Sequence, residues 1–172
     1  MVIKKFSAIK AVVLDVDGVL TDGKLLVTEA GEQLRTFFVK DGYAMQLAVK
    51  MGLQIWVISG GTSYGVQKRL QGLGITEIHL GVKNKMEVLN QLLEKYQLNL
   101  HDLMYVGDDM PDYEVMQVVG LAVCPNDAVE DIKTISHYMS SKNGGEGVVR
   151  DVLEKILKLQ GKWGVQTEIK SV

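Results

Sequence analysis

The sequence predicts an α/β fold, a parallel sheet with helices on both faces. Short apolar runs rich in β-branched residues recur along the chain, each stops at small or acidic residues, and segments with helical apolar spacing lie between them. Ala11-Val12-Val13-Leu14 is the first run and stops at Asp15. Residues 53–58 form the second and end at Ser59-Gly60-Gly61. Residues 103–106 end at Gly107-Asp108-Asp109, and Leu121-Ala122-Val123 is stopped by Pro125. Runs that are apolar at nearly every position suit strands covered on both faces.

The intervening segments read as helices. Met45, Ala48 and Val49 precede Gly52, a helix stop. Val66 and Leu70 continue the spacing. Met86, Leu89, Leu92 and Leu93 form an apolar stripe, as do Val149, Val152, Leu153 and Ile156. Strand–helix alternation requires crossover connections and a parallel order, so the expected architecture is Rossmann-like and doubly wound. One segment breaks the alternation. Leu25-Leu26-Val27, a polar Glu29-Ala30-Gly31-Glu32 and residues 34–39 read as two strands of a hairpin at about 24–39. Nothing of domain size interrupts residues 61–83, so no cap domain is expected. The whole chain, 1–172, reads as one domain, with a flexible tail over about 161–172 where the pattern fades.

Composition excludes several functions. With 47% hydrophobic residues the chain can bury a core, and a net charge of −2 gives no general attraction to nucleic acid or anionic membranes. Positive charge for a phosphorylated ligand must then be local. The single Cys124 has no partner for a disulfide or a zinc site and reads as a packed thiol. No apolar run reaches the roughly 18–20 residues of a membrane span, and residues 1–10 lack a signal core. The expected location is the cytoplasm. His79, His101 and His137 are scattered, without metal-ligand spacing.

The chemistry gathers where the strands end, because open α/β sheets bind ligands outside the carboxyl ends of their strands. Asp15 and Asp17 are two residues apart, so an extended backbone points both the same way. Asp108 arrives from a distant strand. Two unit charges at about 4 Å repel by about 4 kcal/mol at an effective dielectric near 20. A hard divalent cation removes that cost, and oxygen ligands suit Mg2+. One aspartate after a strand is most simply a solvated cap; an ordered set of Asp-x-Asp-Gly, Ser-Gly, Lys and Gly-Asp-Asp is not.

These residues carry a resemblance. Asp15-Val16-Asp17-Gly18-Val19-Leu20-Thr21-Asp22 resembles the first motif of the haloacid dehalogenase superfamily phosphatases. Ser59, Lys85 and Gly107-Asp108-Asp109 with Asp112 match the remaining motifs in order. The resemblance implies a nucleophile at Asp15, an acid/base at Asp17, and metal ligands from Asp15, Asp108 and the Asp17 main chain. It also implies phosphate contacts from Ser59, Gly60 and Lys85, with Asp109 and Asp112 orienting Lys85 or metal-bound water. Residues 15–23, Val39-Lys40-Asp41-Gly42-Tyr43 and Gly144-Gly145-Glu146-Gly147-Val148-Val149-Arg150 are similar to the capless 3-deoxy-D-manno-octulosonate 8-phosphate phosphatases. That family implies lipopolysaccharide precursor synthesis and a homotetramer whose hairpins pack together and whose neighbouring subunit completes each site. It also implies substrate contacts from Lys40, Asp41 and Arg69. Many superfamily members carry arginine where this chain has Gly61, which leaves room and removes a charge near the leaving group. A nine-carbon keto sugar acid phosphate is the alternative substrate, although relatives acting on it usually carry an acid at that position. A non-catalytic phospho-receiver domain is the alternative class, and it has no use for Asp17.

Overall fold

The structure, a computed structural model, describes residues 2–164 and 169. Helix α1 (Val2–Ala8) leads into β1 (Ala11–Leu14), followed by the short strands β2 (Leu26–Val27) and β3 (Gln33–Leu34) and helix α2 (Val39–Lys50). Next come β4 (Gln54–Ile58), α3 (Tyr64–Gly72), β5 (Glu77–His79), α4 (Lys85–Tyr96) and β6 (Leu103–Val106). The chain continues through α5 (Tyr113–Val118), β7 (Leu121–Cys124), α6 (Glu130–Ile135), β8 (Tyr138–Met139) and α7 (Val148–Leu159). Six strands form one sheet in the order β5-β4-β1-β6-β7-β8, every pairing parallel.

Strand periodicity divides the core in two. Val12 and Leu14 of β1, with Ile55 and Val57 of β4, face α2, α3 and α7. Ala11 and Val13, with Trp56 and Ile58, face α4, α5 and α6. A strand buried on both faces has no polar alternation to show, which explains the continuous apolar runs. Helix starts follow local chemistry. Ser63 accepts from the Val66 amide at 3.3 Å to open α3, and Asn84 accepts from Glu87 at 3.1 Å to open α4.

The register places the site. Leu14 of β1 pairs with Val57 on one side and Val106 on the other. The residues just past these positions, Asp15, Ser59 and Asp108, therefore emerge together at one edge of the sheet.

Three features differ from expectation. The hairpin strands are two residues each, and residues 35–38 are not strand; Val39 already begins α2. The expected second strand over 34–39 stops early because Arg35 turns away to Asp17. Strands β5 and β8 and helix α1 carried too little pattern to be read. At the C-terminus the amides of Lys162 and Trp163 donate to the Leu157 carbonyl, and the indole packs edge-on to Tyr43. Lys162 and Trp163 are thus tied to the end of α7. Beyond residue 164 the expected tail, apart from Ile169 on the same core cluster, lies outside the described residues. Among the described residues, no helix is long and apolar enough to cross a membrane.

Candidate active site

The loop after β1 is wound tightly around Asp15. The amides of Val19, Leu20 and Thr21 all donate to the Val16 carbonyl, and the Thr21 hydroxyl accepts from Gly18 and Gly23 at 3.3 and 3.2 Å. Gly18 is held at φ +85°, a conformation that disfavours side chains, and a Cβ there would overlap the Asp108 carboxylate. The spacing Asp-x-Asp-Gly-x-x-Thr thus has a physical reason: glycine admits Asp108, and threonine closes the loop beneath it. The glycine-rich stretch before α7 completes the wall, as the Gly145 amide donates to the Val19 carbonyl at 3.0 Å. It is a docked approach to the helix.

Lys85, the first residue of α4, reaches back into this loop. Its Nζ lies 2.9 Å from Asp15 Oδ1 and 2.6 Å from Asp112 Oδ1, and all three residues are buried. Asp112 also accepts from the Tyr105 hydroxyl at 2.6 Å and from the Asp108 amide at 3.1 Å. Burial works against the Lys85 charge, but Asp112 and Asp15 outweigh it and hold the ammonium above its ordinary pKa. For Asp15, burial and then repulsion from Asp112 exceed the attraction of Lys85, and the pKa rises to about 6. Asp108 is pushed to about 8 by burial and then by Asp15, Asp112 and Asp109.

Negative charge therefore exceeds positive charge in a buried space. Oxygens of Asp15, Asp108 and Asp112 lie within 4.8 Å of one another, a set able to hold a metal ion. Both Asp112 oxygens are already committed to donors, which leaves Asp15 and Asp108 to face a cation. Asp15 Oδ1 is buried, with the Lys85 ammonium 2.9 Å away as its charge partner. The donor set fits a hard divalent cation.

Around this cluster lies a cavity of about 280 Å³ whose walls include Asp15, Asp17, Ser59, Gly60, Lys85, Asp108, Asp109 and Asp112. A larger hollow, about 890 Å³, opens at the other ends of the strands, but its single acid, Asp102, is paired with Lys10. Size does not locate the chemistry here; the convergent charges do. Ser59 is buried and accepts from the Gly61 amide at 3.3 Å. Asp109 is exposed and caps the turn after β6 by accepting from the Met110 amide at 2.7 Å.

One site residue was not read from the sequence. Arg35, from the hairpin, forks onto Asp17, with Nε 2.6 Å from Oδ1 and Nη2 3.0 Å from Oδ2. The room and charge that Gly61 gives up are returned by this guanidinium: a Cβ at Gly61 would sit 3.2 Å from both Arg35 Nη2 and Asp17 Oδ2. The missing side chain at 61 was the available signal; nothing local marked Arg35.

Lys40, Asp41 and Arg69 do not line the cavity within one chain. Lys40 is exposed, with its ammonium 5.8 Å from the Phe38 ring centre. Asp41 is buried in α2 and accepts from the Arg150 amide at 2.7 Å, capping α7 from a neighbouring helix. Arg69 runs beside Gly42 and Leu73, where it spaces α3 from α2. Burial, partly offset by Arg150, raises the Asp41 pKa to about 6. A carboxyl whose native pKa lies above its unfolded value costs stability as pH rises, here between about 4 and 6. Asp41→Asn keeps an acceptor and removes that cost. Its Tm is expected to equal or exceed wild type at pH 7.5, with the gap closing at pH 4.5 and turnover unchanged. Lost activity at an unchanged Tm would place Asp41 on the substrate instead.

The fold and the carboxylate–lysine cluster define a hydrolase class, and the model of the haloacid dehalogenase-like hydrolases matches residues 69–152. The 3-deoxy-D-manno-octulosonate 8-phosphate phosphatase KdsC of Escherichia coli K12 is 38% identical over 161 residues, 94% of this chain and 86% of that protein. The crystal structure of the Yersinia pestis 3-deoxy-D-manno-octulosonate 8-phosphate phosphatase superposes with a TM-score of 0.91 at 34% identity, covering 94% of this chain and 87% of that one. The Moraxella catarrhalis phosphatase, solved with a magnesium ion, a phosphate ion and a KDO molecule, gives 0.90 at 34% identity over 93% and 92% of the two chains. This chain belongs to the haloacid dehalogenase-like family of 3-deoxy-D-manno-octulosonate 8-phosphate phosphatases.

Proposed function

We propose that the protein hydrolyses 3-deoxy-D-manno-octulosonate 8-phosphate to the free sugar acid and phosphate, with magnesium, in lipopolysaccharide precursor synthesis. The observation that carries the reading is Lys85 bridged between Asp15 and Asp112 beside Asp108, at the ends of adjacent parallel strands. The relatives' shared activity supplies the substrate.

Magnesium fits the residues present. Asp15, Asp108 and the Asp17 main-chain carbonyl would hold it, and when bound it neutralises phosphoryl charge. The Asp15 carboxylate attacks phosphorus, the bond to the sugar oxygen breaks, and an aspartyl phosphate forms. Asp17 gives its proton to the departing oxygen, then takes one from the water that attacks the intermediate at phosphorus and regenerates Asp15. Ser59, the Gly60 amide and Lys85 hold the phosphoryl oxygens, with Lys85 aimed by Asp112.

The eight-carbon acid is favoured over the nine-carbon one by Gly61. An acidic side chain there would crowd Asp17 Oδ2 and displace Arg35. The relatives' activity as phosphatases weighs against a phospho-receiver. Leu26, Val27 and Leu34 on the hairpin are 67%, 62% and 48% exposed, an apolar edge suited to packing between subunits of a homotetramer. In that assembly Lys40 would reach a neighbour's site, while Asp41 and Arg69 act from within by fixing α7 and α2. We place the enzyme in the cytoplasm.

The test compares turnover of the eight-carbon and nine-carbon acid phosphates and p-nitrophenyl phosphate, with the preparation sized by light scattering. The eight-carbon substrate is expected to lead by about 100-fold in kcat/KM, with activity lost to chelator, restored by magnesium, and a four-chain mass. Equal rates on all three would remove the substrate assignment, and a selective monomer would remove the shared site.

A further inference from the structure

Arg35 sits in an exposed hairpin, between Leu34 and Thr36, yet its side chain is only 5% exposed. Its Nη1 donates to the Gln33 carbonyl at 3.2 Å within the hairpin, and its Nε and Nη2 both go to the carboxylate of Asp17. Two N–H donors meeting two oxygens fix the plane of that carboxylate as well as its distance, which a lysine cannot do. The guanidinium lies over Gly61, and no room for a water remains between Arg35, Gly61, Ser63 and Leu80. Each carboxylate oxygen has two acceptor positions, so the fork leaves one on each open to the leaving oxygen or to water.

We propose that Arg35 is a positioning residue for Asp17, so that the seating of the hairpin sets how well the site protonates its leaving group. The inference rests on the reading of Asp17 as the acid. Asp17 is half-buried on a loop, where its carboxylate has rotational freedom that a general acid must lose. Arg35 removes that freedom, and Gly61 is the vacancy that lets it. The hairpin is then part of the catalytic apparatus as well as a candidate subunit contact, which explains why so small an insertion carries a buried charge.

The leaving group makes the proposal testable. p-Nitrophenolate departs without a proton, whereas an alkoxide needs one, and kcat/KM reports only steps through transfer onto Asp15. The measured quantity is the ratio of kcat/KM on an alkyl phosphate that the wild type turns over to that on p-nitrophenyl phosphate. Both values come from one preparation, so loss of folded or assembled protein cancels. In Arg35→Ala this ratio is expected to fall about 30-fold, with partial recovery in Arg35→Lys. Gly61→Ala is expected to lower it about 3-fold by crowding the fork. An unchanged ratio in Arg35→Ala, or equal losses on both substrates, would overturn the proposal. Asp17→Asn separates the two readings. If it shifts the ratio and Arg35→Ala does not, only the positioning role fails; if neither shifts it, the acid assignment fails.

Discussion

Asp15→Asn is expected to lower kcat at least about 10⁴-fold, because an amide cannot form the acyl phosphate intermediate that the proposed function places at Asp15. Stability should move the other way. Burial and the neighbouring Asp112 make the Asp15 charge costly, as its pKa of about 6 records, and asparagine removes that charge. Lys85 keeps its 2.6 Å contact to Asp112. The variant should therefore unfold at the wild-type temperature or above it. Steady-state kinetics and thermal denaturation on the same preparation check both halves. Activity within about 10-fold of wild type would remove Asp15 from the chemistry.

Asp112→Ala should injure both fold and function. Asp112 is 1% exposed and joins the Lys85 ammonium, the Tyr105 hydroxyl and the Asp108 amide. Its removal strands the Tyr105 hydroxyl and the Asp108 amide and leaves Lys85 one carboxylate in place of two, at a cost of about 3 kcal/mol in unfolding free energy. Lys85 would retain only Asp15, which pairs the proposed nucleophile with a cation instead of leaving that cation for phosphate. A fall in kcat/KM of about 10²-fold or more follows. Urea denaturation and kinetics read the two effects. Wild-type stability would mean that the network is not what fixes Lys85.

Much of this architecture was legible because buried parallel strands write themselves as apolar runs. Each of the four runs became a strand of one sheet, and the helical stripes became α2, α3, α4 and α7. Their parallel order and register leave little freedom in where the strand ends converge. The acidic residues were legible for the same reason: Asp15, Asp17 and Asp108 all lie within three residues of a strand's end. What escaped was whatever depends on long-range closure. Strand β8 is two residues long and draws its order from β7, which a local pattern cannot encode. That α7 lies over Asp41 and takes its carboxylate onto the Arg150 amide is likewise a contact across 109 residues that no local pattern shows. Arg35 was invisible because a single arginine among exposed hairpin residues has no period. Only folding brings it 18 residues back to Asp17.

The proposed hydrolysis passes through a covalent bond between phosphorus and one named carboxylate, Asp15. Substrate mixed with wild-type enzyme and quenched in acid within one turnover, then reduced with borohydride, would convert an acyl phosphate into homoserine at its position. Peptide mass spectrometry is expected to find homoserine at residue 15, and none in Asp15→Asn treated alike. Homoserine at position 17 or 108, or quenched enzyme with no reduced residue while phosphate is being released, would contradict it.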